Sequence, residues 1–176
     1  MPVSFILPVG PKDRIVDEWL PALRPGDELI IIPFGRMGDA RILGARLARN
    51  EYLAFLDADA SYPPDYGERV ERALSERPGF FARREHPLQA VREALDIMPR
   101  LEGGLCVRRG VFLRRVRGFR SAHGRHDVGE RFNDLPILGE ITFRHGMTRS
   151  ERVVLSSLLA VAVGLLAYAV GVRATP

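Results

Sequence analysis

A short apolar run that leads directly into two aspartates is the feature that most restricts how this chain folds. The run, YLAFL, occupies residues 52–56, and the tetrad Asp57-Ala58-Asp59-Ala60 follows it. Consecutive apolar residues of this kind predict a strand that is buried on both faces of a sheet. Ligands of open α/β sheets bind at the carboxyl ends of the strands, so the two carboxylates are expected at a binding edge.

The spacing of the two carboxylates adds a chemical expectation. Asp57 and Asp59 are two positions apart, and an extended backbone would point both side chains to one side. Two neighbouring carboxylates repel each other, and one would stay protonated unless a cation lies between them. Oxygen ligands of this type suit Mg²⁺ or Mn²⁺, shared with the phosphates of a substrate. The alternative is an acidic turn without a ligand, because Asp is common in turns.

Strand-like and helix-like segments alternate along most of the chain. Besides the run at 52–56, apolar runs predict strands at 3–7, 29–32, 80–82, after Gly104 and at 141–143. Apolar residues at helical spacing predict helices at 14–23, 39–49, 66–77, 88–98, 109–117 and 127–133. This alternation predicts an α/β fold, a three-layer domain with a mostly parallel sheet.

A stretch without any charged side chain, residues 153–172, follows this domain. As a helix it would measure about 30 Å, the thickness of the hydrocarbon core of a bilayer. It therefore predicts one C-terminal transmembrane helix. The predicted division of the chain is then a domain over 1–148, a juxtamembrane linker over 149–152, the span over 153–172 and a short tail over 173–176.

The residues around and within the predicted span indicate its orientation and contacts. Arg144, Arg149 and Arg152 precede the span and only Arg173 follows it. The positive-inside rule then predicts a single-pass protein of the cell membrane with its domain in the cytoplasm. A stripe of small residues in the span would allow a homo-oligomer through this helix. The stripe consists of Ala160, Gly164, Ala167 and Gly171.

Composition narrows the class of partner. The 176 residues are 46% hydrophobic and 27% charged, with a net charge of +4 and a pI near 9.8. Lys12 is the only lysine, and the arginines that carry the positive charge bind phosphate through a bidentate fork. Cys106 is the only cysteine, so an internal disulfide is excluded. Nothing in the sequence resembles a nucleic-acid-reading element.

The stretch between Glu102 and Asp127 contains no acidic residue and several arginines. Two interpretations stay open for it: a solvated surface, or a basic face toward the headgroups of anionic lipids or toward a phosphorylated lipid acceptor. The arginines are Arg108, Arg109, Arg114, Arg115, Arg117, Arg120 and Arg125.

Two segments, VSFILPVG at 3–10 and ARILGARLARNEYLAFLDAD at 40–59, resemble the family 2 glycosyltransferases, which have the GT-A fold, a Rossmann-like nucleotide-binding layout. Asp57-Ala58-Asp59 matches the DXD motif of that family, and Arg41 lies where the family has an arginine. The resemblance implies that Arg41 and the strand end formed by Pro8, Val9 and Gly10 contact a nucleotide-sugar donor. It also implies that Asp57 contacts the ribose or phosphate side and that Asp59, beside Asp57, coordinates a divalent metal, Mn²⁺ or Mg²⁺.

A second block resembles the acceptor side of the same family. It contains Gly103-Gly104, then Arg108 or Arg109, then Gly118-Phe119, and it is followed by the segment HDVGER at 126–131. By this match Asp127 is the catalytic base. Arg131 lies one helical turn further and would influence that carboxylate or bind phosphate. From the residues alone, Asp127 could equally be the N-cap of a helix, with Glu130 three positions on.

Three positions depart from the family pattern. The segment IPF at 32–34 stands where the family carries an aspartate pair that reads the nucleobase. Ile42 replaces an asparagine, and His126 replaces the glutamate before Asp127. The identity of the donor's base is therefore not predicted.

Three functions follow from these observations. The first is a membrane-anchored, metal-dependent glycosyltransferase that moves a sugar from a nucleotide-diphosphate donor to a lipid-linked or membrane-proximal acceptor, for which the resemblance implies inversion. The second is a nucleotidyltransferase of related fold, although the loop at 8–12 is only a faint version of its glycine-rich basic loop. The third is a catalytically inactive, membrane-tethered accessory subunit, which the missing aspartate pair would explain.

Overall fold

The computed structural model describes residues 1–33, 37–85, 104–117, 128 and 131–145. Within these ranges the chain forms a seven-stranded sheet with helices on both faces. A short 3-10 turn, Asp17–Trp19, precedes the second strand. The strands are β1 (Val3–Val9), β2 (Glu28–Pro33), β3 (Tyr52–Phe55), β4 (Ala60–Ser61), β5 (Gly79–Glu85), β6 (Leu105–Arg108) and β7 (Ile137–His145). The helices are α1 (Met37–Leu47), α2 (Tyr66–Glu76) and α3 (Arg109–Arg115).

The strand order is β2-β1-β3-β6-β5-β7-β4, and the sheet is mixed. Strand β1 is parallel to β2 and β3, and β5 is parallel to β7. Strand β6 is antiparallel to both β3 and β5, and β4 is antiparallel to β7. The prediction of an α/β fold is confirmed, but that of a mostly parallel sheet is wrong. An apolar run such as Leu105-Cys106-Val107 indicates burial in a sheet and carries no information about strand direction.

The sheet is covered on both faces, as the three-layer prediction requires. On β1, Phe5 belongs to a core cluster that includes Tyr66 and Val70 of α2. The next residue, Ile6, belongs to the opposite cluster, which includes residues of α1 and α3. Helix α1 lies so close to β1 that a Cβ atom on Gly44 would overlap Cγ2 of Ile6. This glycine therefore sets the distance between the helix and the strand that leads to the candidate site.

The segment predicted as a helix at 14–23 is not one. Only the 3-10 turn at Asp17–Trp19 forms there, and the apolar residues Ile15, Trp19 and Leu23 are all exposed. A short helix owes most of its stability to the burial of an apolar face. With no core available to this face, the helical spacing of the apolar residues did not produce a helix.

The C-terminal predictions concern residues that the structure does not describe. The chain divides into two units, Met1–His145 and Gly146–Pro176, and the second unit falls wholly outside the described ranges. Within the described ranges, none of the helices combines the length and the apolar character needed to cross a bilayer. The predicted span at 153–172, its linker and its tail therefore stay predictions, as does the helix at 88–98.

Candidate functional site

Most strands end at the same edge of the sheet, and the two aspartates lie there. Strand β6 reverses direction between β3 and β5, so β5 and β7 run the same way as β1, β2 and β3. The carboxyl ends of these five strands consequently meet at one edge. Asp57 and Asp59 follow the end of β3, at the edge where α/β sheets bind their ligands.

The acidic tetrad is a turn rather than a continuation of β3. The backbone N–H of Leu56 makes a last ladder bond to the carbonyl oxygen of Ile6, at 2.9 Å. The N–H of Ala60 then donates to the carbonyl oxygen of Asp57, at 3.2 Å, which closes a turn between β3 and β4. The rule that residues two apart share one face of an extended chain therefore does not apply to Asp57 and Asp59.

A buried arginine compensates the charge of the first aspartate. Nη2 of Arg41, on helix α1, donates to Oδ1 of Asp57 at 3.1 Å. The Arg41 side chain is 1% exposed and that of Asp57 is 16% exposed. Burial lowers the pKa of Arg41, and the charge of Asp57 and its hydrogen bond oppose this effect. Because a cation already faces Asp57, repulsion between the two carboxylates is no longer an argument for a metal.

A tyrosine that the sequence reasoning missed holds the backbone of the acidic turn. The N–H of Asp57 donates to the phenolic oxygen of Tyr62 at 2.8 Å. Burial raises the pKa of Tyr62 well above its usual value of 10, so the phenol stays protonated. The ring lies against Phe143, with centroids 5.4 Å apart. The available sequence signal was its place in the break SYPPD directly after the tetrad.

The predicted donor-binding residues of the first strand lie beside the acidic turn. Ile6 pairs with Phe55, so Pro8 and Asp57 each lie two positions further along neighbouring parallel strands. Pro8 is buried, whereas Val9 and Gly10 are half-buried at the end of β1. The fold therefore brings the Pro8–Gly10 strand end, Arg41 and the acidic turn to one edge. Their roles toward a donor stay predictions.

Gly104, predicted on the acceptor side, has a structural reason to be glycine. Its φ is +129°, and a Cβ atom there would lie 2.6 Å from Cε1 of Phe143. Its N–H donates to the carbonyl oxygen of Phe55 at 3.1 Å, and its own carbonyl accepts from Ala82 at 2.8 Å. This residue joins β3 to β5 across the start of β6, so its presence does not by itself indicate an acceptor.

The other predicted acceptor-side residues are only partly described. Asp127, the predicted base, and Gly103 lie outside the described residues. Arg131 is exposed in a turn, and its carbonyl oxygen accepts from Nη1 of Arg115 at 3.1 Å. The catalytic role of Asp127 therefore stays a prediction.

Several arginines of the basic stretch bind backbone carbonyls or a carboxylate of the domain itself. The guanidinium of Arg108 donates to the carbonyl oxygens of Leu74 and Ser75, near the end of α2. Arg109 does the same for Ala45 and Arg46 on α1. Arg115 pairs with Asp134. Of the described arginines in this stretch, Arg114 and Arg117 are exposed. Arg120 and Arg125 lie outside the described residues, so the basic face toward lipids stays a prediction, to which Arg108, Arg109 and Arg115 contribute less than the sequence suggests.

The described residues do not by themselves form a complete metal site. Within the described ranges, no group of three or more His, Cys, Asp or Glu side chains is placed to hold a metal. Mg²⁺ is commonly bound through one or two carboxylates together with water and substrate phosphates. A site of that kind would use Asp59, which is exposed, and the partly exposed Asp57, with a substrate completing the ligand set. Metal binding by the acidic turn stays a prediction.

Comparison with known proteins identifies the family. The model of the family described as "Glycosyl transferase family 2" matches residues 13–103, just over half of the chain. The chain therefore belongs to glycosyltransferase family 2, and sugar transfer is the activity of that family. No curated protein sequence matches the chain.

Solved structures support the same fold. Thirty-five chains of solved structures match, among them the crystal structure of TarS from S. aureus. That match has a TM-score of 0.52 at 11% identity and covers 92% of this chain and 39% of TarS. The chain therefore spans about two fifths of the length of that protein. The similarity is consistent with the GT-A fold expected from the sequence.

Proposed function

We propose that this chain is a metal-dependent glycosyltransferase that moves a sugar from a nucleotide-diphosphate donor to a lipid-linked or membrane-proximal acceptor. The observation that supports it most is the buried contact between Arg41 and Asp57 at the strand edge of a family 2 fold. A fully buried guanidinium is costly unless it is paired. Here it holds one carboxylate of the acidic turn in a single position.

The donor side uses residues whose geometry is described. Asp57, held by Arg41 through its side chain and by Tyr62 through its backbone, would accept hydrogen bonds from the ribose hydroxyls of the donor. Asp59, with Asp57, would hold the divalent cation. That cation, when bound, neutralises the charge that develops on the nucleoside diphosphate leaving group. A carboxylate already fixed by two partners needs no reorganisation when the donor binds.

The acceptor side rests on the resemblance. Asp127 would take the proton from the acceptor hydroxyl. The acceptor oxygen would then bond to the anomeric carbon on the face opposite the nucleoside diphosphate as the bond to that leaving group breaks, which gives inversion. Such general-base help is worth about 10²–10⁴-fold in rate. The proposal also places residues 153–172 across the cell membrane, with the domain in the cytoplasm and the acceptor near the bilayer surface.

A donor-hydrolysis screen tests the reaction class. Purified chain is incubated with a panel of nucleotide sugars and Mn²⁺ or Mg²⁺, and the release of nucleoside diphosphate is measured. We expect Asp59→Ala to lose most of the turnover, and Asp65→Ala to keep it, because Asp65 is an exposed residue paired with Arg69 on α2. Excess chelator should abolish the wild-type turnover, and adding the metal back should restore it.

The same screen separates the other two functions. Release of pyrophosphate instead of nucleoside diphosphate would identify a nucleotidyltransferase. If no donor binds by calorimetry in the presence of Mn²⁺, the accessory role is favoured. Equal turnover by the wild type and Asp59→Ala would reject the proposed metal site.

A further inference from the structure

A cleft of about 400 Å³ opens beside the acidic turn, between the 3-10 turn and the ends of β5 and β7. Its floor is formed by the stacked rings of Tyr62 and Phe143. One wall carries Trp19, the only tryptophan of the chain. Pockets of this size accept small ligands, and their few polar groups set the chemistry of the ligand. Its polar lining consists of Glu18, Ser61, Glu85, Thr142 and Arg144.

The tryptophan is held in place although it is exposed. The backbone carbonyl oxygen of Trp19 accepts the backbone N–H of Tyr62 at 2.8 Å, and the backbone N–H of Trp19 donates to the carbonyl oxygen of Val16 at 2.9 Å. Yet 42% of the residue's surface remains accessible to solvent. A large aromatic side chain with a fixed backbone and a free face provides a flat apolar surface with a polar N–H at its edge. Such a surface matches the apolar face of a sugar ring.

The charge of the cleft disfavours phosphates. Among the described residues, its lining contains two carboxylates, Glu18 and Glu85, against one guanidinium, that of Arg144. The Nε atom of Arg144 lies 3.2 Å from Glu85 and donates to it. A ligand without charge and rich in hydroxyl groups would find acceptors in the carboxylates and partners in Ser61 and Thr142. An anionic ligand would meet net repulsion instead.

The cleft is joined to the acidic turn through one side chain. Tyr62 lines the floor of the cleft, and its hydroxyl accepts the N–H of Asp57. Ser61 belongs to β4, the strand that begins directly after Asp59. A ligand in the cleft would therefore lie next to the residues proposed to hold the donor.

We infer that this cleft binds neutral sugar rings of the acceptor, with Trp19 as the stacking surface and Glu18 as a hydrogen-bond acceptor for the hydroxyl groups. The assignment to the acceptor rests on the proposed transferase function, whereas sugar binding as such does not. The acceptor would then be a glycan-bearing molecule rather than a bare lipid phosphate.

The fluorescence of Trp19 offers a direct test, because no other tryptophan contributes to the signal. The full chain in detergent is titrated with cellopentaose, maltopentaose and chitopentaose, each up to about 10 mM, a range that detects even weak sites. We expect a saturable change in emission with at least one of them. Glu18→Ala should weaken that binding at least fivefold, and Glu76→Ala, which alters an exposed carboxylate of α2 outside the cleft, should leave it unchanged.

A second variant guards against an indirect effect. Trp19→Ala should abolish binding in calorimetry while its circular dichroism matches the wild type. A flat titration with all three sugars would overturn the inference, and so would a saturable response to inorganic pyrophosphate in their place. Donor turnover without any sugar response would reject the cleft as a sugar site and leave the proposed transferase function intact. Sugar binding without donor turnover would keep the cleft as a sugar site and overturn its assignment to an acceptor.

Discussion

At the scale of single residues, the contact between Arg41 and Asp57 decides how the acidic turn is built. A guanidinium that is 1% exposed faces a carboxylate that is 16% exposed. Removing one partner of such a pair leaves a charge with little access to water, and this typically costs about 3–5 kcal/mol. The pair therefore links the stability of the domain to the position of its candidate donor site.

Arg41→Met should accordingly lower the free energy of unfolding by about 3 kcal/mol, measured by urea denaturation. Arg69→Met removes one side of the surface pair with Asp65 and should cost less than about 1 kcal/mol. The double variant Arg41→Met/Asp57→Asn should lose less than the sum of its single changes, because neither charge is left alone. Equal losses for Arg41→Met and Arg69→Met would contradict this account.

Gly104 is the second residue whose identity the packing determines. Its φ of +129° is one that residues with a side chain rarely adopt, and the added methyl group of Gly104→Ala would meet Phe143 at 2.6 Å. Backbone strain and overpacking of this kind each cost about 1–3 kcal/mol, so we expect a loss of about 2–4 kcal/mol. Gly139→Ala is the matched control in β7, since its Cβ atom would have no neighbour closer than 3.9 Å. A loss at Gly139 as large as that at Gly104 would argue against the packing explanation.

At the scale of elements, two arginines at the start of α3 tie the helices together. Arg108 donates hydrogen bonds at 2.9–3.0 Å to carbonyl oxygens near the end of α2, and Arg109 does so on α1 at 3.0–3.3 Å. The last carbonyl groups of a helix lack partners within it and carry partial negative charge. These side chains thus stabilise the ends of helices on opposite faces of the sheet.

We expect Arg108→Ala to reduce the free energy of unfolding by about 1.5–3 kcal/mol, the range for hydrogen bonds from a charged group. Arg108→Lys should recover only part of this loss, because an ammonium group cannot reproduce the planar fork. Arg114→Ala removes an exposed arginine of the same helix and should stay within about 0.5 kcal/mol of the wild type. Thermal and urea unfolding measure the stability of all three variants. If Arg108→Ala does not change the free energy of unfolding, Arg108 is better explained as part of a surface for lipids.

At the scale of the whole molecule, the described core lies within the first of the two units. Both apolar clusters consist of residues between Val3 and Phe143, inside the unit Met1–His145. We expect the domain to fold without the apolar stretch at 153–172, which a shortened chain can test. Membrane attachment through that stretch and sugar transfer by the domain, both proposed above, would then be separable properties.

A chain that ends at His145 should consequently keep the circular dichroism and the cooperative unfolding of the domain. With vesicles of neutral phosphatidylcholine, the full chain should sediment and the shortened chain should remain in the supernatant. Arg114→Ala/Arg117→Ala in the full chain should not change its sedimentation, because the predicted anchor needs no anionic lipid. A full chain that stays in the supernatant would reject the membrane span.

The sequence alone determined the α/β class, the burial of the strand at 52–56 and the family, because burial and motif order are local properties of the chain. The resemblance assigned both Arg41 and Asp57 to the donor site, but the ion pair between them was found only in the structure. Only the tertiary structure decided the direction of β6, because the apolar character of a strand does not indicate whether it is parallel or antiparallel to its neighbours. The tertiary structure also decided that the acidic tetrad is a turn held by Tyr62, that Gly104 is required by Phe143, and that Arg108 and Arg109 bind helix ends. Apart from the acidic turn, in which Tyr62 is only five positions from Asp57, these features depend on contacts between residues distant in the sequence, which no local pattern encodes.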